Sequence, residues 1–350
     1  MALLRNDVNA SVEKPLLEVK GLKKYYPVLA GVLRRPVAQI KAVDGIDLAL
    51  LPGQALGLVG ESGCGKSTTG RAILNLIQPT EGRILYWFQD GTEPMDISRA
   101  GPKTLKAMRR ECQIIYQDPY SSLNGRMNVG DIVAEPLLVH GLAGSRERVR
   151  LATEMIEAVG LDSAHLRRYP HEFSGGQRQR IAIARALILQ PRLVVADEPV
   201  SALDVSVQAQ VLQLLKHLQI QFHLTYLFIS HDLAVVRYIC DRVSVMYLGW
   251  IVESGPVEEI FHQPKHPYTE ALISAVPVPD PDRQEKRIIL SGDVPSPVAP
   301  PQGCRFHPRC RYAREICATE IPAYRSSGVD RGVRCHLAED LNLQGPSGGR

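Results

Sequence analysis

A glycine-rich stretch early in the chain constrains the possible folds more than any other feature. In order, it consists of Gly60, Glu61, Ser62, Gly63, Cys64, Gly65, Lys66 and Ser67. This order matches the phosphate-loop pattern G-x-x-x-x-G-K-S/T, in which glycines let backbone N–H groups turn inward around phosphate oxygens. An apolar run, residues 56–59, precedes it, and Thr68 to Leu76 are expected to form a helix whose N-terminus faces the same charge. We count Thr68 with the binding residues.

Four polar side chains are expected to carry the chemistry beside this loop. Lys66 would reach the β- and γ-phosphates, and Ser67 would hold Mg²⁺. Asp197 closes the apolar run 193–196 and is the expected second Mg²⁺ anchor, acting directly or through water. Glu198 is then placed beside the γ-phosphate, where a carboxylate could polarise the attacking water. The pattern predicts ATP and Mg²⁺ as cofactors.

Short apolar runs with polar residues at their ends predict a parallel α/β sheet. The runs 56–59, 193–196 and 226–229 suit buried parallel strands. Open α/β sheets bind ligands at the carboxyl ends of their strands, which is where the polar residues follow. Two apolar segments between Val243 and Glu253 flank Leu248 and Gly249, which predicts a hairpin at the sheet edge.

Composition and charge exclude several classes of protein. The 350 residues are 45% hydrophobic and 22% charged, as in an ordinary globular protein. A net charge of +4 gives no reason to expect a nucleic acid partner. No apolar stretch approaches the roughly 20 residues of a membrane span, and residues 1–15 lack the apolar run of a secretory signal. We expect a cytosolic chain that reaches a membrane through a partner.

A second glycine-containing motif resembles the signature of ABC ATPases. The motif consists of Phe173, Ser174, Gly175, Gly176 and Gln177, against the usual L-S-G-G-Q. Backbone N–H groups at the start of an expected helix, 177–189, would form a second anion site. In the family this motif covers the γ-phosphate bound by the other subunit. The resemblance therefore implies a dimer, with an identical or a related subunit, that sandwiches two ATP molecules.

Further positions of the ABC family also have matches in this chain. Gln117 resembles the glutamine that senses the γ-phosphate and Mg²⁺, and His231 resembles the switch histidine at the γ-phosphate. Tyr26 resembles the aromatic residue that stacks on adenine, although the adjacent Tyr25 could serve. Residues 201–204, ending at Asp204, resemble the loop that couples the two sites.

The resemblance implies a definite fold and domain organisation. Residues 16–255 would form an ABC ATPase domain with a P-loop α/β core, an antiparallel β subdomain near the N-terminus and a helical subdomain at about 118–189. Residues 256–350 would form a separate C-terminal, cysteine-containing appendage.

A narrower resemblance concerns importers of oligopeptides and dipeptides. It rests on residues 117–124, 266–269 and 275–277, with Gly125 where that subfamily often has proline. It implies a bacterial or archaeal uptake system with two ATPases on the cytoplasmic face of the plasma membrane, two permeases and an external solute-binding protein. Nickel importers and other solute importers share these features, so peptide is the first expectation for the cargo and nickel or another small solute the alternative.

The C-terminal segment combines a proline-rich connection with four cysteines. The prolines are Pro277, Pro279, Pro281, Pro295, Pro297, Pro300 and Pro301. The cysteines are Cys304, Cys310, Cys317 and Cys335. Their spacings of five, six and seventeen residues exceed the two to four usual for paired zinc ligands. They leave room for a 4Fe–4S cluster, which the subfamily resemblance also implies. Zinc, reduced thiols and two disulfides stay as alternatives, with His307 and His336 as possible substitute ligands.

Two other classes of phosphate-loop protein fit this sequence less well. Soluble ABC proteins of DNA repair or translation carry a long coiled-coil insertion or two tandem ATPase units, whereas this sequence shows one phosphate loop. A small-molecule kinase has no reason for the signature at residues 174–177. An ATPase subunit of a transporter therefore fits best.

Overall fold

The computed structural model describes residues 14–31, 35–276, 287–328 and 330–345. Residues 1–13 and the predicted connection at Pro277, Pro279 and Pro281 lie outside the described residues. The strands within the described ranges are β1 Leu17–Ala30, β2 Arg35–Leu50, β3 Ala55–Val59, β4 Glu81–Tyr86, β5 Met95–Asp96, β6 Cys112–Ile115, β7 Leu193–Asp197, β8 Thr225–Ser230, β9 Arg242–Tyr247, β10 Trp250–Pro256, β11 Arg325–Ser326 and β12 Gly332–Val333.

The helices of the same ranges lie between these strands and after them. They are α1 Lys66–Ile73, α2 Pro102–Glu111, α3 Pro119–Ser122, α4 Val129–His140, α5 Ser145–Ala158, α6 Gly175–Leu187, α7 Val205–Phe222, α8 Leu233–Ile239, α9 Val257–His262, α10 Pro267–Ser274 and α11 Glu315–Thr319. Short 3₁₀ turns occur at Ser163–Arg167, Pro170–Glu172 and His307–Arg309. None of the helices in the described part of the chain is long and apolar enough to cross a membrane.

The larger sheet has the order β11-β12-β10-β9-β3-β8-β7-β6 in the described residues. Its central strands, from β9 through β3, β8 and β7 to β6, pair in parallel. Every residue of β3, β7 and β8 is buried, which explains why these strands are continuous apolar runs in the sequence. The three predicted buried strands are confirmed. Because the strands are parallel, their carboxyl ends meet at one edge.

Two further units pack on this sheet. The smaller sheet is antiparallel, in the order β2-β1-β4-β5, and corresponds to the β subdomain predicted near the N-terminus. It buries Leu17, Val19 and Leu22 in a common core with α1. Helices α3 to α6 pack on one another as a helical unit within the range predicted for a helical subdomain, and their buried side chains, including Ile132 and Ile156, join the core of the larger sheet.

The C-terminal segment extends the larger sheet. β12 pairs antiparallel with β10, where Glu253 opposes Val333, and β11 pairs with β12. The hairpin of β9 and β10 is therefore present as predicted, but the prediction that it forms the sheet edge is wrong. The segment also packs on the core rather than standing apart from it. Arg305 binds the Leu248 carbonyl and Asp44, and Arg331 pairs with the fully buried Glu253 at 2.9 Å.

Candidate nucleotide site

The phosphate loop lies between β3 and α1, and its glycines are required by close backbone packing. At Gly60 the backbone has φ +151°, and an added Cβ would lie 2.1 Å from the carbonyl oxygen of Met246. At Gly65, with φ +109°, it would lie 2.1 Å from the carbonyl oxygen of Ala42. Side chains at these two positions would displace the loop from the sheet. The loop conformation is thus fixed by β9 and β2 rather than by its own sequence alone.

Lys66 and Ser67, the first residues of α1, face the loop and β7. Lys66 is 5% exposed, and its Nζ donates to the carbonyl oxygens of Gly60 at 2.8 Å and Glu61 at 3.1 Å. Ser67 Oγ donates to Asp197 Oδ1 at 2.6 Å. The loop therefore folds around an ammonium group, as expected if that group binds a phosphate.

The carboxylate of Asp197 is buried and only weakly paired with a positive charge. It is 2% exposed, and burial raises its pKa above the usual value against the opposing hydrogen bond from Ser67. Arg71 Nη2 lies 3.7 Å from Asp197 Oδ2. A hydroxyl and a carboxylate at hydrogen-bond distance suit Mg²⁺, which takes one or two protein oxygens and completes its shell with phosphate and water. The donor set fits this cation.

Glu198, Gln117 and His231 converge at the carboxyl edge of the sheet. Gln117 Nε2 donates to Glu198 Oε2 at 3.1 Å, and His231 Nδ1 lies 3.1 Å from the same oxygen. The three residues follow β6, β7 and β8, so the parallel topology brings them together. Glu198 has φ +49°, an uncommon value for a residue other than glycine, and its N–H is held by the Ile229 carbonyl at 3.0 Å.

These residues enclose a common cavity of about 410 Å³. Its lining consists of Ala42, Ser62, Gly63, Gly65, Lys66, Ser67, Thr68, Gln117, Glu198 and His231. Nine of these ten are predicted from the sequence, but Ala42 of β2 is not. Arg71, beside Asp197, is not predicted either. The spacing from Ser67 to Arg71, one turn along the same helix face, is a signal that would have indicated it.

The signature residues lie elsewhere on the subunit. Ser174 caps α6: its Oγ accepts from the Gln177 N–H at 3.3 Å, and Gln177 Oε1 accepts from the Ser174 N–H at 3.0 Å. This reciprocal capping starts the helix at Gly175, two residues before the predicted start. Gly176 is required because a Cβ would lie 2.4 Å from Val207 Cγ1 of α7. In the described part of the chain, residues 174–177 are not among those lining the cavity.

Two further candidates, Tyr26 and Asp204, also lie outside the cavity lining, as do Gly60, Cys64 and Asp197. Asp204 precedes α7 as its N-terminal capping residue, and Ser201 Oγ of the same loop donates to the Glu198 carbonyl at 3.1 Å. Tyr25 donates its hydroxyl hydrogen to Asp44. Its neighbour Tyr26 is half-buried and has the Lys24 ammonium 4.9 Å from its ring centroid.

The four C-terminal cysteines share one neighbourhood without forming a metal site. All are free, and Cys317 is buried while the other three are half-buried. Burial raises the pKa of Cys335 to about 12, against a lowering by the hydrogen bond from the Leu337 N–H, and the neighbouring thiols add a smaller rise. Among the described residues, no group of three or more His, Cys, Asp or Glu side chains is placed to hold a metal ion. His307 and His336 contact backbone carbonyls through Nδ1 at 2.9 Å and Nε2 at 3.0 Å. In the described residues these side chains therefore do not form the predicted cluster site.

Two family profiles match this chain. The profile described as "ABC transporter" matches residues 43–201, which include the phosphate loop, the signature and Glu198. The profile described as "Oligopeptide/dipeptide transporter, C-terminal region" matches residues 252–317.

Solved structures share the fold. The ATP-binding cassette MJ0796, in a dimeric post-hydrolysis state bound to ADP and Pi, has a TM-score of 0.59 and 27% identity over 69% of this chain and 98% of that chain. CbiO1 of Clostridium perfringens, part of the transporter complex CbiONQ, has the same score and identity over 71% of this chain and 91% of its own.

Curated relatives cover nearly the whole chain. The oligopeptide transport ATP-binding protein AppF of Bacillus subtilis is 50% identical over 333 residues, which is 94% of this chain and 99% of AppF. The probable peptide ABC transporter ATP-binding protein y4tS of Sinorhizobium fredii is 50% identical over 92% of this chain and 90% of its own length. With the phosphate loop and the signature in place, the chain belongs to the ABC transporter ATPases, in the oligopeptide/dipeptide subfamily.

Proposed function

We propose that this ATPase energises the uptake of dipeptides or oligopeptides by an ABC importer. The observation that carries the proposal is the Glu198 carboxylate, held by Gln117 and His231 at the mouth of the phosphate loop. The similarity to AppF and y4tS, which are named as ATP-binding proteins of oligopeptide and peptide transport, supports the cargo. Nickel or another small solute is the alternative cargo. A soluble, non-transport ATPase is the less favoured reading.

The chemistry assigns one task to each group. The backbone N–H groups of the loop and Lys66 bind the β- and γ-phosphates, and Ser67, Asp197 and Gln117 would hold Mg²⁺. The cation, when bound, neutralises charge on the transferred phosphoryl group. Glu198 accepts a proton from the attacking water, and His231 contacts the γ-phosphate while fixing the Glu198 carboxylate. Tyr26 stacks on adenine, since Tyr25 is engaged with Asp44.

A second subunit completes each site. Residues 174–177 do not line the cavity of their own subunit, and Ser174 is exposed, so the N-terminal end of α6 serves the nucleotide held by Lys66 of the partner. Asp204 and its loop link the two sites through the contact of Ser201 with the Glu198 carbonyl. The closed dimer binds ATP better than the open one, so ATP binding closes it and hydrolysis reopens it. The partner is either a second copy or a related subunit.

The permeases dock on a groove between the core and the helical unit. A cavity of about 290 Å³ lies there, with apolar lining from Met108, Tyr116, Pro136 and Val139. Tyr116 directly precedes Gln117, so a permease segment in this groove would lie next to a residue that contacts Glu198. Through these contacts the ATPase associates with the cytoplasmic face of the plasma membrane.

We assign residues 16–255 to the ATPase domain and 256–350 to the subfamily-specific tail.

The cargo is tested with the assembled transporter. The ATPase is reconstituted in lipid nanodiscs with its permeases, identified by copurification, and the solute-binding protein is added empty, loaded with peptide or loaded with nickel. We expect peptide-loaded binding protein to raise the ATPase rate and the other two forms to leave it near the basal level. Stimulation by the nickel-loaded form alone would replace peptide by nickel. Full ATPase activity with no permease dependence would favour a soluble ATPase.

We also propose that the four C-terminal thiols take up an iron–sulfur cluster, with zinc as the alternative. The support is the donor set itself: four free cysteines in one short segment that has little core of its own, where bound metal supplies folding energy. Cys304 and Cys317 are already joined by the hydrogen bond from the Cys304 N–H to the Cys317 carbonyl at 2.8 Å. When bound, the cluster would tie this segment together.

The metal content is tested by anaerobic purification. We expect bound iron and sulfide, with a broad visible absorption, and loss of both in a Cys304→Ala, Cys310→Ala variant. Cys112→Ala, which removes a buried thiol outside the segment, is the matched control and should keep the iron. Colourless protein with stoichiometric zinc would establish zinc in place of the cluster. Colourless protein without metal would leave four reduced thiols.

A further inference from the structure

The carboxylate of the phosphate loop, Glu61, is bound by an arginine of the C-terminal segment. Arg309 Nη1 donates to Glu61 Oε2 at 2.6 Å, and Nη2 donates to Oε1 at 3.1 Å. Such a bidentate pair is stronger and more directional than a single hydrogen bond. Only 7% of the Arg309 side chain and 29% of the Glu61 side chain are exposed, so the pair is largely withdrawn from water.

The backbone of Glu61 is held from the same side. Its N–H donates to the hydroxyl of Tyr268 at 2.8 Å, and Tyr268 is fully buried. The Tyr268 ring packs against Tyr247 at 4.7 Å and against Phe306 at 5.4 Å between ring centroids. Phe306 and Arg309 belong to one short stretch of the C-terminal segment. That stretch therefore fixes both the side chain and the backbone of one residue in the phosphate loop.

The Glu61 side chain faces away from the nucleotide cavity. It lines a separate cavity of about 430 Å³ together with Arg309 and residues of α10, whereas Gly63, Gly65 and Lys66 line the nucleotide cavity. A negative charge behind a loop that binds a polyanion opposes binding. Two unit charges about 10 Å apart change a binding constant roughly two- to fifteenfold, depending on the effective dielectric constant. The charge of Glu61 is therefore large enough to affect ATP affinity unless it is neutralised.

We propose that Arg309 is a positioning residue that neutralises Glu61 and so sets the affinity of the phosphate loop for ATP. The inference rests on the proposed function, in that the loop must bind nucleotide phosphates. It assigns to the C-terminal segment a part in the nucleotide site of its own subunit, in addition to any role of its cysteines.

The two single substitutions that break the pair are expected to change ATP binding differently: only the loss of Arg309 should weaken it. ATP and ADP binding to the full-length protein are measured by calorimetry in EDTA, where hydrolysis does not occur. We expect Arg309→Gln to weaken ATP binding roughly five- to fifteenfold, and ADP binding less, because ATP carries one more negative charge. We expect Glu61→Gln to leave ATP affinity unchanged or to raise it up to about fivefold. The double variant should return to within about twofold of the unmutated protein.

A purely structural ion pair would behave differently. Its loss would weaken ATP binding in both single variants, and it would weaken ADP binding as much as ATP binding. Either result overturns the inference. Glu61→Gln alone decides this point if Arg309→Gln does not fold. Arg311→Gln is the matched control, since Arg311 is a neighbouring arginine that pairs with Glu270 at 3.0 Å instead, and it should bind ATP normally. Failure of the unmutated protein to bind ATP better than Lys66→Ala would overturn the proposed function itself.

Discussion

Replacing Glu198 by glutamine is expected to lower steady-state ATP hydrolysis roughly 10²- to 10⁴-fold, the range that a general base contributes. Binding of ATP should persist, because the amide keeps the size of the carboxylate and lies outside the phosphate loop. Gln117 and His231, each 3.1 Å from Glu198 Oε2, can keep contact with the amide oxygen. The variant cannot accept the proton of the attacking water. The ATP-bound dimer should therefore accumulate, which size-exclusion chromatography with ATP would detect.

The same substitution elsewhere provides the control for Glu198. Glu258 pairs with Arg237 on the surface, where 60% of its side chain is exposed. Glu258→Gln makes the identical chemical change and should hydrolyse ATP at the unmutated rate. Hydrolysis by Glu198→Gln near that same rate would remove Glu198 from the role of base. A loss of ATP binding in Glu198→Gln would show instead that the carboxylate is needed to form the site.

Replacing Ser174 by arginine is expected to reduce hydrolysis by roughly a hundredfold or more, the effect of misplacing reacting groups by about 1 Å. Ser174 is exposed at the start of α6 and lies outside the cavity of its own subunit. A long cationic side chain there would hold the two subunits apart. Calorimetry of the isolated subunit should still give the ATP affinity of the unmutated protein, because Lys66 and the phosphate loop are untouched.

The capping role of Ser174 makes a second variant necessary. Ser174→Ala also removes the hydroxyl that caps α6, which lowers the free energy of unfolding by about 0.5–2 kcal/mol. It adds no bulk, so we expect its hydrolysis rate to fall less than that of Ser174→Arg. Equal rates in the two variants would mean that the cap, rather than closure of the dimer, limits hydrolysis. A collapse of ATP affinity in isolated Ser174→Arg would contradict a site shared between subunits.

The parts of the site that the sequence predicts are those encoded by short, local patterns. The loop from Gly60 to Ser67 and the strands before Asp197 and His231 need only a few consecutive residues to be identified. Helix α6 begins two residues before its predicted start. The reason is that its cap at Ser174 depends on the side chain of Gln177 as well as on the glycines.

The parts that were missed depend on contacts between distant residues. β12 has two residues, too few for any periodicity, and it becomes a strand only because β10 offers it an unpaired edge. The pairing of Arg309 with Glu61 spans 248 positions, and each residue alone is an ordinary surface type. The proposal of Tyr26 rather than Tyr25 as the adenine contact depends on the hydrogen bond from Tyr25 to Asp44, which the sequence does not indicate.

The pairing of β10 with β12 has a consequence for the chain during its synthesis, because β10 is translated first. Synthesis proceeds at roughly 5–20 residues per second, so β10 emerges several seconds before its partner strand. During that interval the outer edge of β10 has free backbone groups, and Glu253 has no Arg331 beside it. An open strand edge invites pairing with other chains. Nascent chains that lack β12 are therefore the forms most in need of chaperones, and pairing with β12 removes that hazard.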